Sequence, residues 1–213
     1  MTSSGIRVLL VVPTSRHGYF DARRKHSIAW YAKRALTVSR MLSSDGGVDV
    51  FHYGHKEGVD ETAVLRTELK PDGVDEWVLD WAVLPNADRG LLGDLVPKNP
   101  LEGFFGVTDN YHYRRPLKAC EEVCRWTESL PGDKLVIFWL DWSGGCEELV
   151  RAIARLDRPD IFWQFFGHQK DLSYDFWRKD GLKQGQLLPN VRARDSLSWN
   201  RRSITRGFRK WRG

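Results

Sequence analysis

The sequence predicts a Rossmann-like α/β fold, a mainly parallel sheet with helices on both faces. Three observations predict it. Continuous apolar runs rich in β-branched and aromatic residues occur at 6–12, 134–140 and 160–168, as expected of strands buried on both faces. Between such runs, apolar residues recur at steps of three and four, the spacing of one helix face. The two patterns alternate along the chain, and alternation requires crossovers that place strands parallel.

Taken in order, IRVLLVV (6–12), closed by Pro13, is the first strand. Ile28, Tyr31, Ala35, Val38 and Leu42 then mark a helix that SSDGG (43–47) stops, and VDVFHYG (48–54) is the second strand. Residues 60–70 are expected as a helix, and EWVLDWAVLP (76–85) as a third strand before Pro85. No periodicity runs from Pro85 to Tyr113, a length associated with lids and binding segments. In the second half, Leu117, Cys120, Cys124 and Leu130 trace a helix before the Pro131–Gly132 break. KLVIFWL (134–140) is a strand, SGGCEELVRAIARL (143–156) a helix, DIFWQFFGH (160–168) a strand and DLSYDFWRKDGL (171–182) a helix.

Composition narrows the function classes. Of 213 residues 41% are hydrophobic and 12% aromatic, which excludes a chain disordered throughout. No apolar run approaches the roughly 20 residues of a membrane span, and the start MTSSGIRVLLVVP lacks the positive charge of a signal peptide. A cytoplasmic protein with no membrane partner is expected. The three cysteines, Cys120, Cys124 and Cys146, support neither a disulfide framework nor a zinc site and read as reduced, mostly buried thiols. No metal and no cofactor are expected, a nucleotide or sugar nucleotide entering as substrate.

The net charge of +5 is unevenly spread. Residues 192–213 hold eight Arg or Lys against Asp195 alone, a net of +7, and the remaining 191 residues sum to −2. The division expected is a single Rossmann-like domain over 1–191 and a basic, aromatic-containing tail over 192–213. In that tail Arg192, Arg194, Arg201, Arg202, Arg206, Arg209 and Lys210 would neutralise phosphates while Trp199 and Trp211 stack on unpaired bases of DNA or RNA. The alternative is a helix packed through Leu197, Ile204 and Phe208 with its charges in water. On the first view the body stays folded without residues 192–213.

In such a sheet, ligands collect outside the carboxyl ends of the strands where the strand order reverses, between the first strand and the first strand of the second half. Two loops are therefore candidates, expected side by side. After the first strand, Arg16 and His17 could hold a phosphate, with His17 also able to move a proton; a solvated basic loop is the alternative. After KLVIFWL, Ser143 can cap a helix while Gly144 and Gly145 let a phosphate approach backbone amides. Glu147 and Glu148 oppose that and favour a plain capped turn. Asp141, at the end of a buried strand, stands where a catalytic base or nucleophile would. In the 106–116 loop, Asp109, Tyr111, His112 and Arg114 could act on or stack against a base or sugar.

The first quarter of the chain, through the helix SIAWYAKRALTVSRML and the strand closing on Tyr53–Gly54, resembles the amino-terminal βαβ unit of GT-B-type glycosyltransferases, bacteriophage-encoded members above all, with Lys33, Met41, Leu42, Tyr53 and Gly54 as the matched positions. The resemblance implies a transferase handling a sugar nucleotide or nucleotide and modifying nucleic acid or its precursors. A GT-B enzyme has two such domains and this chain has length for one. Two other functions fit the residues: N-glycosidic-bond hydrolysis or deoxyribosyl transfer with Asp141 or Asp109 as nucleophile, and a non-catalytic nucleic-acid-binding or phage assembly protein.

Overall fold

A computed structural model of the chain describes residues 5–13, 27–55, 62–81, 116–140, 149, 153–167, 188–195 and 200–213. Its elements are β1 (Arg7–Pro13), α1 (Ile28–Leu42), β2 (Val48–His55), β3 (Thr62–Leu69), α2 (Val74–Trp81), α3 (Pro116–Thr127), β4 (Lys134–Leu140), β5 (Ile161–Gly167), β6 (Val191–Asp195) and α4 (Arg201–Arg212). The strands form one six-stranded sheet in the order β3-β2-β1-β4-β5-β6. All neighbours run parallel except β2 and β3. The chain thus adopts the Rossmann-like, mainly parallel α/β architecture.

Alternation along each strand divides the core into two layers. Val8, Leu10 and Val12 of β1, with Leu135, Ile137, Phe162 and Phe166, meet Tyr31, Ala35 and Val38 of α1, Trp77 of α2, and Ile204 and Phe208 of α4. Leu9 and Val11, with Val136, Phe138, Ile161 and Phe165, meet Ala119, Cys120, Val123 and Cys124 of α3, together with Leu149 and Ile153. Every residue of β4 is buried, which is why its sequence after Lys134 is one unbroken apolar run.

Local signals agree with this layering. The Ser27 hydroxyl accepts from the Trp30 amide at 3.1 Å and caps α1. Asn200 caps α4, its side chain accepting from the Arg202 amide at 3.0 Å. Gly132 turns the chain into β4 with φ of 79°, and a Cβ there would strike the Gly5 carbonyl, so the turn before β4 admits no larger residue.

Two expectations are reversed. Residues 62–69, expected within a helix, are strand β3, and 74–81, expected largely as strand, are helix α2. In β3, Ala63, Thr67 and Leu69 are buried while Arg66 and Glu68 are exposed, a period of two; the two charges suit an edge strand, where unpaired backbone invites aggregation. In α2, Val74, Trp77, Val78 and Trp81 stand at i, i+3, i+4 and i+7, with Asp75 and Glu76 in the positive first turn. Trp and Val favour strands only where a pleated partner exists. The Trp77 indole instead donates to Thr67 Oγ1 at 3.1 Å, seating the helix under β3. The predicted helix at 171–182 lies outside the described residues.

Residues 192–213, expected as a tail, supply most of β6 and all of α4. β6 extends the sheet beside β5, with Trp163 opposite Val191. Asn190 fixes its approach by donating to the carbonyls of Arg158 and Ile161 at 3.2 and 2.8 Å. α4 buries Ile204, Thr205, Gly207 and Phe208, so the packed-helix alternative describes it. Gly207 is where β6 passes close: a Cβ there would stand 2.7 Å from Arg192 Nη1.

Candidate functional site

The strand order reverses at β1, which has β2 on one side and β4 on the other. Val11 lies opposite Phe138, so Pro13 and Leu140, the carboxyl-terminal residues of β1 and β4, leave the sheet as neighbours at the same edge. That is the position where ligands bind in open α/β sheets. Tyr53 of β2 stands opposite Pro13, and its hydroxyl donates to the Trp139 carbonyl at 3.2 Å, spanning β1. Its ring packs against Phe138 at 5.5 Å in one core layer, and Trp139 packs on Tyr31 at 4.5 Å in the other, so aromatic rings back this edge on both faces of the sheet. Arg16, His17, Asp109, Tyr111, His112, Arg114, Asp141, Ser143, Gly144 and Gly145 all lie outside the described residues. Asp141 is the residue after Leu140 in the chain.

The described thiols and imidazole are not poised for chemistry. Burial pushes the Cys124 thiol up to about 11 and the Cys120 thiol well above its ordinary value, so both are protonated at neutral pH and act as small apolar core residues. His52 is fully buried, bonded through Nε2 to Thr67 Oγ1 at 3.2 Å and stacked on Trp77. Burial lowers its pKa to about 3. Among the described residues, no cluster of His, Cys, Asp or Glu could hold a metal ion. No described helix is long and apolar enough to cross a membrane.

The neutral His52 makes stability depend on pH with a definite sign. Below about 6.5 the unfolded chain protonates this imidazole, whereas the folded chain does not until about 3. Stability therefore falls with acidification through that window, by about 1.5 kcal/mol for this group between pH 6.5 and 5. Urea unfolding of the wild type and of His52→Gln at both pH values checks it. Equal losses in the two proteins would remove His52 as the source.

The charges at the amino edge of the sheet are matched in place. Asp49, one-tenth exposed, takes Arg66 Nε at 3.1 Å and Arg7 Nη1 at 3.8 Å; burial raises its pKa against the pull of both arginines. Lys134 is buried at 2% exposure and donates to Asp160 at 2.7 Å, while Arg158 donates to both Asp160 oxygens. Both groups lie at the end opposite the switch-point edge and brace strand starts.

Among the described residues, the acid paired with α4 is Asp133 alone, at its last turn. Arg201, Arg202, Arg206, Arg209 and Lys210 are all exposed. The helix contains no acid, and neither does α1 packed beside it. Arg212 pairs with Asp133 at 2.6 Å, and Arg209 Nη2 reaches the Met41 carbonyl at 3.5 Å. Of the other tail positions, Arg192 is half-buried with its guanidinium 5.6 Å from the centre of the Phe162 ring. Trp211 packs on Phe162 and Phe208 at 5.6 and 5.4 Å. Arg194 lies in β6, and Trp199 lies outside the described residues. The alternation of cations and aromatics in the sequence thus becomes two opposite sides of one helix, a separation legible in its 3.6-residue period.

No protein-family model and no curated protein matches the chain. Among solved structures, one described as von Willebrand factor type A from Catenulispora acidiphila is similar over 98% of this chain, at 12% identity and a TM-score of 0.47. This chain spans 42% of that chain's length. That protein is not a GT-B glycosyltransferase, and the glycosyltransferase resemblance is withdrawn. Its matched positions have ordinary structural roles: Lys33 pairs with Asp75 at the surface, Met41 is exposed, Leu42 is half-buried, Tyr53 is core and Gly54 is a buried strand residue. A β1-α1-β2 unit of this kind occurs in any doubly wound sheet.

Proposed function

We propose that this chain is a nucleic-acid-binding α/β domain acting in the cytoplasm, with α4 as its contact surface. The observation that carries this reading is a packed helix presenting six exposed cations, one of them Arg212 paired with Asp133, and no acid, beside a second helix that also lacks acids. A row of Arg and Lys neutralises phosphates and releases their counterions, and the bias exceeds what solubility requires. Gel-shift titration with mixed DNA and RNA at 50 mM salt tests the reading. The expected result is binding that Arg202→Gln/Arg206→Gln weakens by roughly 10²-fold, two lost phosphate contacts each changing affinity by about 0.9 decade per decade of salt below 1 M. Unchanged affinity in the folded variant would sink α4 as the surface.

The strand order favours a second reading. The neighbouring ends of β1 and β4 suit a nucleotide or deoxynucleoside, with Asp141 as the carboxylate that attacks its anomeric carbon in N-glycosidic cleavage or exchange. Melting shifts with these ligands test that crevice separately from α4.

A further inference from the structure

We infer that α4 docks on the phosphate backbone of duplex nucleic acid and does not read unpaired bases. The inference rests on the nucleic-acid reading above and specifies its substrate.

Its first support is where the rings point. Binding of unpaired bases relies on flat aromatic side chains open to solvent. Phe208 is fully buried, edge-to-face with Phe162 at 6.0 Å, and Trp211 closes over the same ring. On α1, the Trp30 ring carries the Arg34 guanidinium at 4.0 Å. Among the described residues the large hydrophobic side chain that stands exposed is Met41, which has no ring. Among the described residues, the basic face has charge to offer and no exposed ring.

Its second support is the arrangement of that charge. Arg202, Arg206, Arg209 and Lys210 occupy i, i+4, i+7 and i+8, one stripe about 12 Å long at 1.5 Å per residue. The Arg209–Met41 contact seats the end of this stripe against the end of α1, where Arg40 is exposed. Asp133, which meets the last turn of α4, is engaged by Arg212. Because Ile204 and Phe208 anchor α4 in the core, the backbone that carries the stripe is held in place. A row so held gains most from phosphates that are themselves held in a row, since less freedom is lost on binding. A duplex also presents one charge per roughly 1.7 Å of axis against 3.4 Å for one strand. The same anchoring argues against a lipid surface, because an interfacial helix inserts an apolar face and that of α4 is occupied by the sheet.

The test compares an about 20-bp mixed-sequence DNA duplex, its isolated strand, and vesicles containing phosphatidylserine, each titrated with the full chain across salt concentrations. The expected result is duplex binding at least ~10-fold tighter than the strand at low salt, with a log–log salt slope near −4 from four or five contacts. Arg202→Gln/Arg206→Gln/Lys210→Gln should reduce that slope by about 2.7 while circular dichroism stays unchanged, since all three side chains stand in solvent. Arg206→Gln alone, reducing it by about 0.9, serves if the triple variant fails to fold. A strand bound as tightly as the duplex would overturn the inference and leave the nucleic-acid reading standing. Binding to vesicles without binding to either nucleic acid would overturn both, as would an unchanged slope in the folded variants.

Discussion

Phe208→Ala is expected to destabilise the protein by about 3–5 kcal/mol, the cost of a large aromatic removed from a packed core with little room to collapse. The ring has no exposure and contacts Phe162 of β5 and Trp211. With Ile204 it is what holds α4 down. A 12-residue helix is too short to persist by itself, and Arg202, Arg206 and Lys210, spaced four apart, repel one another along it. Loss of the anchor should therefore also scatter the cation stripe and weaken nucleic-acid binding without touching a charge. Urea unfolding checks the energy, with Arg206→Gln as the comparison that stays within about 0.5 kcal/mol of wild type. A loss below about 1 kcal/mol would mean that α4 is not docked as described. The same packing changes the expectation for truncation. Removing residues 192–213 takes away β6 and uncovers Phe162, so unfolding is the expected result.

Asp160→Ala is expected to cost about 3–5 kcal/mol, the penalty for leaving a buried charge without its partner. The Lys134 ammonium, at 2% exposure, would keep the Leu130 carbonyl at 2.7 Å and lose its carboxylate, and Arg158 would face it as a second cation. Asp160 itself is one-third exposed, so the penalty arises on the Lys134 side. Lys134→Met with Asp160→Ala should recover most of the loss, because a well-packed apolar side chain has no charge to compensate. Failure of the double variant to recover would place the cost in Arg158, which also donates to the carbonyls of Cys124 and Thr127. Hydrogen bonds from Arg158, against burial and with help from Lys134, hold the Asp160 carboxyl well below the carboxylate range. A depressed carboxylate contributes fully above its unfolded value near 4 and loses its contribution progressively as pH falls from there toward the folded one. The loss expected between pH 6.5 and 5 therefore belongs to His52 and not to this network.

The elements legible in the sequence were those whose burial leaves one reading. β1, β4 and β5 are covered on both faces and are apolar but for Arg7, Lys134 and Gln164, and α1 and α3 repeat their apolar residues over several turns. The excess of Arg and Lys after residue 192 was equally plain. The short windows at 62–69 and 74–81 contain too few turns or pleats for local preference to decide, and they resolved only against what they cover, β2 for the first and His52 with Thr67 for the second. That α4 packs on the sheet at all was likewise decided by Phe162, a residue the helix meets only after the whole sheet has formed, although its own period already separates the two sides. Nor does any local pattern state that β1 pairs with β4 or that Lys134 meets Asp160. The sequence by itself determined which segments are strands buried on both faces and where the charge lies. Tertiary structure decided strand order, the edge strands and the docking of α4 on the sheet, because those follow from contacts between residues far apart in the chain, which no local period encodes.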